Sequence, residues 1–253
     1  MVNVVRLVLI SIAVGFTVTT IANLSTTIYM HRALAHKALT LHPIVTFASR
    51  VTLWLSTGIR PRQWVAVHRK HHAFTDQEGD PHSPVLLGWK KVQVRNVALY
   101  RKVANDPATV ERYAKDLPQT KLDKLFFDRA LLGLGIGIAL LVFVFGPTIG
   151  LIAAFVHLNT YLAGSAAVNA IAHHFGRHPY ANGAGNLQWL ALLTAGEGLH
   201  NNHHAAPTSA RLSHRWYELD PGWWLIKVLS TTRLAKVRLA TVRLKNSARR
   251  VGV

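Results

Sequence analysis

Two clusters of histidines stand far apart in this chain, as HRKHH at residues 68–72 and HNNHH at residues 200–204. In both clusters the histidines follow the spacing i, i+3, i+4, which places three imidazoles on one face of a helix, so we expect each cluster to offer three imidazoles to one point. A third pair, His31 and His36, lies five residues apart in HRALAH. Five residues turn through about 140° on a straight α-helix. We therefore expect either that the helix ends at this pair or that each histidine serves a different metal ion.

The histidines favour a metal centre over a structural role. Eight imidazoles brought together would repel one another when protonated and lack partners when buried, and a metal removes both problems. The chain has no cysteine, which excludes thiolate ligands, disulfides and cysteine nucleophiles. Imidazole suits iron, copper, nickel and zinc, and eight nitrogens exceed the need of one ion. We expect two ions, and chemistry favours an O₂-activating pair of irons, which can attack an unactivated C–H bond.

Two stretches without charged residues are long enough to cross a bilayer. Residues 7–30 and 130–176 contain no Asp, Glu, Lys or Arg, and about 20 apolar residues suffice for one crossing. Gly146-Pro147 marks a turn within the second stretch. The first stretch is too long for a signal peptide and runs directly into histidines. We predict one membrane-embedded domain over residues 1–253, an all-α integral membrane protein. Its three transmembrane helices are expected at about residues 6–30, 128–145 and 148–172.

The basic residues predict which side of the membrane holds the histidines. Too little chain separates His36 from His68 for two crossings, so all the clusters are expected on one side. Of the 29 Lys and Arg, 17 lie in residues 31–129 and 11 in residues 177–253, and such residues stay on the cytoplasmic side. We predict a cytoplasmic helical cap formed by residues 31–127 and 173–253, ending in a basic amphipathic helix after Pro221. The formal net charge of +18 then belongs to a surface facing lipid and partners, and we expect no nucleic acid partner.

Four segments carry a family resemblance: HRALAH, HRKHHAFTDQEGDPHSP, VNAIAHHFGRHPY and GEGLHNNHH. In this order they resemble the membrane fatty acyl desaturases, specifically the acyl-CoA delta-9 (stearoyl-CoA) type and its bacterial relatives. The resemblance covers about residues 25–225. That family usually has four spans, two of them before the first histidine box. Only 30 residues precede His31, so the first span is expected either to be absent or to lie upstream.

The resemblance implies two irons bound by nine histidines, with one asparagine acting through water. The implied ligands are His31, His36, His68, His71, His72, His173, His200, His203 and His204, with Asn169 as the water-mediated contact. Spacing alone leaves His173 and His174 as equal candidates. Trp64 matches a tryptophan near the family's centre. Asp80 and Glu197 are candidates for orienting the imidazoles, although a purely structural role is an equal alternative for all three.

The implied enzyme is a non-heme di-iron desaturase that removes two hydrogens from adjacent methylenes of a long saturated acyl chain, leaving a cis double bond. Delta-9 is one suggested position, but the small residues of GSAAVN, which end at Asn169, favour a tunnel of different depth. O₂ is the co-substrate, and two electrons come from a donor such as a ferredoxin or a b-type cytochrome with its reductase. The acyl chain is expected on CoA, a lipid or a carrier protein. The expected location is the bacterial inner membrane, with the active site on the cytoplasmic face.

Two other functions are alternatives. A membrane di-iron hydroxylase or oxygenase acting on alkyl, sterol or carotenoid substrates would add oxygen after the same hydrogen abstraction, and the product mass separates it from a desaturase. A membrane metal transporter or sensor would need polar residues along a path through the spans. The predicted spans offer Thr, Asn and Ser, with His157 as their one ionisable residue. We expect His157, like the other isolated histidines, to be structural.

Overall fold

Two long apolar helices form the base of the molecule. The computed structural model describes residues 2–240 and 242. Among these, two helical stretches are long and apolar enough to cross a membrane, Asn3–Ala35 and Ala130–His173. The first consists of α1 (Val2–Ser25) followed by a π-helix (Thr26–Ala35). The second consists of α7 (Ala130–Ala170) and one 3₁₀ turn (Ile171–His173).

Helix α7 turns back on itself at the predicted position. Gly146 has φ +80° and ψ 163°, outside the helical region, and Pro147 follows it. The chain then folds back so closely that a Cβ on Gly150 would lie 2.6 Å from Cα of Val142. Glycine adopts a positive φ without steric cost, and proline has no backbone N–H to continue the helix. The break therefore divides α7 into the two arms that the sequence predicts, while the number of membrane crossings stays a prediction.

The outer surface of these helices is apolar. Phe143 is 87% exposed and Phe155 is 68% exposed. Both lie in α7, which contains no charged residue. Exposed apolar surface of this extent is unusual on a soluble protein and is typical of a lipid-facing one. His157, in the same helix, is buried. Its Nδ1 lies 3.0 Å from Thr19 Oγ1, and its Nε2 lies 2.8 Å from the Ser56 carbonyl oxygen. These features indicate membrane association.

Shorter helices pack around the two long ones. They are α2 (Pro43–Ser56), α3 (Pro61–Phe74), α4 (Pro84–Leu87), α5 (Trp89–Ala104), α6 (Pro107–Ala114), a short π-helix (Asp123–Phe127), α8 (Gln188–Leu193), α9 (His200–Ala205) and α10 (Pro221–Thr231). Five of these helices begin with proline, at a position where its missing N–H costs nothing. Helix α2 lies directly on α7, because a Cβ on Gly137 would lie 2.1 Å from the Leu55 carbonyl oxygen.

The all-α prediction and the predicted terminal helix both need correction. Strands β1 (Leu39–Leu41) and β2 (Ala235–Val237) form a two-stranded antiparallel sheet, with Leu39 opposite Val237. The predicted amphipathic helix after Pro221 ends at Thr231. From residue 235 apolar and charged residues alternate in AKVRL, a period of two that fits a strand better than a helix. The last part of the predicted helix and of the predicted cap, at residues 241 and 243–253, lies outside the described residues.

Candidate metal centre

A π-helix brings the first two histidines together. The backbone N–H of His36 donates to the carbonyl oxygen of His31 at 3.1 Å, which is the i to i+5 pattern of a π-helix. Five residues then complete slightly more than one turn, so both side chains point the same way. Their ring centroids lie 4.9 Å apart. Of the two expectations for this pair, the structure agrees with the one in which the helix ends there, because the π-helix ends at Ala35 and His36 is its C-cap. The alternative of a different metal ion for each histidine does not fit, because both lie in a single group of potential ligands.

All nine predicted histidines converge in two groups. In each group, one potential ligand atom per residue lies within 4.8 Å of all the others. The first, the five-histidine group, consists of His31, His36, His68, His72 and His203. The second, the four-histidine group, consists of His71, His173, His200 and His204. The groups adjoin, since the rings of His72 and His204 stack with centroids 4.5 Å apart.

The nitrogen spacing fits metal coordination. Nε2 atoms of different histidines lie 2.7 Å apart for His36 and His68, 2.9 Å for His72 and His203, and 3.1 Å for His31 and His203. With metal–nitrogen bonds of about 2.0–2.1 Å, two nitrogens bound at right angles lie about 3 Å apart. Nε2 of His203 lies close to Nε2 of both His31 and His72, and it can form a hydrogen bond with only one of them. The converging nitrogens therefore have the geometry of ligands to a common ion.

Carboxylates set the tautomers of three histidines. Nδ1 of His31 lies 2.7 Å from Glu197 Oε1, and Nδ1 of His71 lies 3.0 Å from both oxygens of Asp80. Ionised carboxylates only accept hydrogen bonds, so each Nδ1 carries the proton and each Nε2 keeps its lone pair. Nε2 of His71 is buried without a hydrogen-bond partner, as expected of an atom placed to bind a metal. The structure thus gives Glu197 and Asp80 the orienting contacts suggested by the sequence.

A third carboxylate was missed in the sequence. Asp76 Oδ2 lies 3.1 Å from Nδ1 of His173, whose Nε2 is also buried without a partner. The same carboxylate accepts a hydrogen bond from the Ser83 hydroxyl at 3.1 Å. Asp76 lies four residues before Asp80 in the turn after α3, so the segment TDQEGD supplies both. The sequence signal for Asp76 was its place, with Asp80, directly after the histidine cluster at residues 68–72.

Another histidine beyond the predicted set lies beside this segment. His82 is buried and its ring stacks on His71 at a centroid distance of 4.7 Å. Together with Asp80, the two form a third group of potential ligand atoms. Burial, followed by the neighbouring His71, lowers the pKa of His82 to about 3. In the sequence, the motif DPH that contains His82 contributed only to the family resemblance.

Burial also keeps the grouped imidazoles neutral. For His36, His68, His72, His200, His203 and His204, the pKa lies well below the ordinary histidine value. The main cause is burial, and the neighbouring imidazoles add to it. Only the neutral ring presents a lone pair to a metal. Burial therefore favours, for these six rings, the protonation state that metal binding requires.

The remaining predicted residues surround a small cavity beside both groups. The cavity has a volume of about 70 Å³ and is lined by Asn23, Thr26, His31, Trp64, His68, Ser165, Val168, Asn169, Thr194, Glu197 and His200. Trp64 stacks on His68 with centroids 4.8 Å apart and an interplanar angle of 10°. Asn169 faces the cavity, and its amide nitrogen lies 3.3 Å from Asn96 Oδ1. The structure also separates the two equal candidates, because His173 is buried while His174 is exposed.

Buried polar contacts fix the segments that carry the histidines. The Arg32 guanidinium donates to Asp220 Oδ1 at 2.8 Å and to the Ala210 carbonyl oxygen at 2.7 Å, which ties the π-helix to the start of α10. The two asparagines inside HNNHH are both buried. Asn201 donates to the carbonyl oxygens of Tyr180 and Ala184. These contacts hold α9 against the loop that follows His173.

Fold and site together define a helical, membrane-associated protein with a histidine-rich site suited to metal ions. Residues 7–237 match the sequence profile described as fatty acid desaturase. The match covers most of the chain, and the chain belongs to this family. It is an oxidoreductase family of lipid metabolism, in agreement with the resemblance seen in the four motifs.

Several curated proteins are similar over most of this chain. An acyl-CoA C20 Delta5-desaturase of Anemone leveillei is 33% identical, over 83% of this chain and 67% of the relative. An sn-2 palmitoyl-lipid 9-desaturase of Nostoc sp. (strain 36) is 34% identical, over 81% of this chain and 73% of the relative. An sn-1 stearoyl-lipid 9-desaturase of Synechocystis sp. is 32% identical, over 83% of this chain and 65% of the relative. The chain thus spans about two thirds to three quarters of the length of these relatives.

Proposed function

We propose that this protein is an O₂-dependent fatty acyl desaturase that uses two iron ions to introduce a cis double bond into a long saturated acyl chain. The observation that carries the proposal is the convergence of nine histidines into two adjacent groups beside one cavity. The proposed ligands are those nine, with Asn169 acting through water. Three crossings, with the site on the cytoplasmic face of a bacterial inner membrane, complete the proposal.

The overall reaction balances with one O₂ and two external electrons. Two C–H bonds on adjacent methylenes break and one C=C bond forms, while O₂ takes up four electrons and four protons to give two waters. Two electrons and two protons come from the acyl chain, and two electrons come from the donor with two protons from solvent. When bound, the irons would supply the chemistry that side chains lack, activation of O₂ towards an unactivated C–H bond.

The side chains of this protein position and protect that chemistry. Glu197, Asp80 and Asp76 hold the Nδ1 proton of their histidines and so keep each Nε2 free. The ring of Trp64 covers His68 and forms part of the wall of the 70 Å³ cavity. A methylene held in that cavity lies next to histidines of both groups. Confinement of this kind fixes which carbon is presented for reaction.

The substrate is proposed as a long-chain acyl group on a lipid or on CoA. The relatives named above act on acyl-CoA or on acyl-lipid, according to their names, and at different positions of the chain. An external donor such as a ferredoxin or a b-type cytochrome with its reductase would supply the electrons. A hydroxylase would share the same metal centre, but the named relatives are desaturases, which favours loss of hydrogen over gain of oxygen.

Expression in a host with a simple saturated lipid pool tests the proposal. Gas chromatography–mass spectrometry of total fatty acids should show a new monounsaturated acid, and derivatisation of the double bond should give its position. His173→Ala should abolish the product, while His174→Ala, its exposed neighbour, should retain it. A hydroxylated acid instead would show an oxygenase. Purified protein without iron would contradict the di-iron centre, and loss of product in both variants would contradict the assignment of His173.

A further inference from the structure

The short helix α8 is apolar on its outward face as well as on its inward face. Leu190 is buried against the end of α7, while Trp189, Leu192 and Leu193 on the opposite side are about half exposed. Residues 178–196 contain no Asp, Glu, Lys or Arg. A helix at the surface of a soluble protein carries polar residues on its outward face. The outward face of α8 therefore fits contact with lipid, although the helix is far too short to cross a bilayer.

The apolar face of α8 continues into the surface of its neighbours. At one end, the Gln188 side chain forms two hydrogen bonds with the backbone of Leu219, just before α10, where Trp224 is half exposed. Tryptophan is enriched where a bilayer meets water. At the other end, the Asn23 side chain of α1 donates to the Leu193 carbonyl oxygen at 2.9 Å. Since α1 and α7 are the helices long and apolar enough to cross a membrane, the lipid around them also reaches α8.

The end of α8 separates this lipid-facing surface from the cavity beside the histidine groups. Asn23 and Thr194 line the cavity and are buried, while the intervening Leu193 side chain is 57% exposed on the outside. Ser165 and Val168 of α7 also line the cavity. The wall between the cavity and the lipid is therefore a single layer of residues at this point.

The cavity must widen to admit an acyl chain. Its volume of about 70 Å³ is well below the roughly 300–1,000 Å³ of pockets that enclose a drug-sized ligand. Part of the lining consists of metal-binding histidines and the side chains in contact with them, and moving these residues would displace the proposed ligands. They are His31, Trp64, His68, Glu197 and His200. The wall formed by α8 carries none of them and can move without disturbing the histidine groups.

The backbone after α8 allows such a movement. The chain turns sharply at Ala195, with φ +54°, and at Gly196, with φ +107°. The Ala195 carbonyl oxygen accepts from the backbone N–H of Gly222 at 3.1 Å, which holds the turn in place while α8 lies beyond it. At its far end α8 is held to α1 by the hydrogen bond from Asn23. An ordinary hydrogen bond makes a modest net contribution to stability, so this end of α8 can separate from α1.

We propose that the substrate is an acyl chain still esterified in a membrane lipid, and that it enters the cavity directly from the bilayer, between α1 and the end of α8. This assignment rests on the proposed desaturase function and selects lipid over CoA as the acyl carrier. The hydrogen bond between Asn23 and Leu193 opens to admit the chain, and the ester bond is neither formed nor broken. An acyl-CoA dissolves in water and has no need of an entrance that faces lipid.

Photo-crosslinking tests the entrance independently of product formation. The iron-loaded protein would be placed in lipid nanodiscs that contain a phosphatidylcholine with a diazirine in the middle of one acyl chain. Peptide mass spectrometry would then locate the labelled residues. Val168, which lines the cavity, should be labelled, and the exposed Leu162 on the same helix gives the reference for contact with bulk lipid.

Two asparagine variants compare the open and closed entrance. Asn23→Ala should raise the labelling of Val168 relative to Leu162 by about fivefold, since loss of one ordinary hydrogen bond changes a population by about this factor. Asn159→Ala is the matched control and should leave the ratio unchanged, because Asn159 is exposed and donates within its own helix to the Phe155 carbonyl oxygen.

A reversible lock gives the opposite test. The chain has no cysteine, so a short cleavable bis-thiol reagent would join α1 to α8 only in the double variant Asn23→Cys with Leu193→Cys. Joining should lower the labelling of Val168 by about tenfold or more, and cleavage of the reagent should restore it. Leu193→Cys alone, treated with the same reagent, should show no loss.

Several outcomes would overturn entry from the bilayer. Labelling of Val168 that persists in the joined variant places the entrance elsewhere, as does a wild-type protein in which Leu162 is labelled and Val168 is not. A diazirine-bearing palmitoyl-CoA that labels Val168 equally in the joined and cleaved forms would make CoA the carrier. If the double variant does not fold, as judged by its iron content, Asn23→Ala and Asn159→Ala decide, and equal ratios reject the entrance.

The carrier and the reaction are separated by isotope labelling. Nanodisc lipids with deuterated palmitoyl chains, mixed with unlabelled palmitoyl-CoA, O₂ and an electron donor, should give a deuterated monounsaturated acid. An unlabelled product would overturn the choice of lipid as the carrier. Labelling of Val168 that depends on the lock, without any unsaturated product, would retain the entrance and reject the desaturase function.

Discussion

The two histidine groups differ in ligand number and in the charge behind them. The five-histidine group has one carboxylate contact, from Glu197 to His31, whereas the four-histidine group has two, from Asp80 to His71 and from Asp76 to His173. A carboxylate behind an imidazole fixes its orientation and raises its basicity as a ligand. The group with fewer nitrogens thus has the stronger support. The difference indicates that the four-histidine group depends more on its surroundings.

Removing one nitrogen from each group should have the largest effect. His71→Ala leaves three histidines in its group, while His72→Ala leaves four in the other. Both variants should lose desaturation by more than about a thousandfold, because the centre acts as a unit. Iron per chain, measured by mass spectrometry of the metal, should fall further in His71→Ala. Equal iron contents in the two variants would remove the proposed difference between the groups.

Loss of the carboxylate behind His173 should be the next largest effect. In Asp76→Asn the Nδ1 atom of His173 loses its negatively charged hydrogen-bond acceptor. Loss of such a contact behind a metal ligand typically costs 10–100-fold in metal affinity or activity. Competition with a chelator would measure the affinity. Glu197→Gln serves as the comparison in the other group, and we expect it to lose less affinity there because four other histidines remain. A larger loss in Glu197→Gln would reverse the ranking of the two groups.

The stacking of Trp64 on His68 should matter less. Trp64→Phe keeps an aromatic ring over the imidazole but reduces the contact, and aromatic pairs contribute about 0.5–1.5 kcal/mol. We expect iron to stay bound and product formation to fall about three- to tenfold, with a change in the preferred chain length because Trp64 lines the cavity. Gas chromatography of the product acids would show both effects. Iron loss in this variant would instead assign Trp64 to the support of the five-histidine group.

The smallest effect is expected from an ion pair at the edge of the five-histidine group. Asp116 accepts from Arg69, which also donates to the carbonyl oxygens of Leu34 and Ala35 just before His36. The hydrogen bond from Arg69 and the nearby Lys37 hold the pKa of Asp116 below its usual range, against the opposing effect of burial. This contribution to stability is present above the ordinary carboxyl pKa and is lost as the pH falls through the lower folded value.

Asp116→Asn should therefore lower the free energy of unfolding by less than about 1 kcal/mol, as is usual for partly exposed pairs. Thermal melts in detergent at neutral pH would measure this loss. The difference between variant and wild type should shrink as the pH falls below about 4, because Asp116 of the unfolded wild-type chain then takes up a proton while the folded carboxylate, with its lower pKa, does not. A difference that stays constant down to that range would show that the charge on Asp116 is not its source.

The sequence predicted which histidines come together better than it predicted how they are arranged. The i, i+3, i+4 spacing placed the clusters at His68 and His200 correctly on helices, because that spacing depends only on regular α-helical geometry. The expectation that each cluster offers its three imidazoles to one point was wrong, because each cluster contributes histidines to both groups. The expectation that the helix ends at His31 and His36 agrees with the structure. The alternative of separate metal ions does not, because the segment is a π-helix, and no local residue pattern predicts that conformation. Resemblance, and not spacing, distinguished His173 from His174, which differ only in the direction that the end of α7 gives them.

Long-range contacts explain the other differences. Strand β2 forms where the chain after α10 meets Leu39, about two hundred residues earlier, so a helical interpretation of the tail lacked its partner. Asp76 reaches His173 across a similarly non-local contact. By contrast, the break in α7 was predictable, because Gly146-Pro147 acts through its own backbone. The desaturase family itself was confirmed by the match over residues 7–237.

The π-helix has a consequence for how this protein can change in evolution. It joins α1 directly to the centre, so every residue before His31 is in fixed rotational register with the metal-binding face. Deleting one residue from Thr26–Ala35 would restore a regular α-helix but rotate α1 by about 100° relative to His36. Asn23, which now faces the cavity and donates to the Leu193 carbonyl oxygen at 2.9 Å, would then face another direction. The length of this segment is therefore constrained.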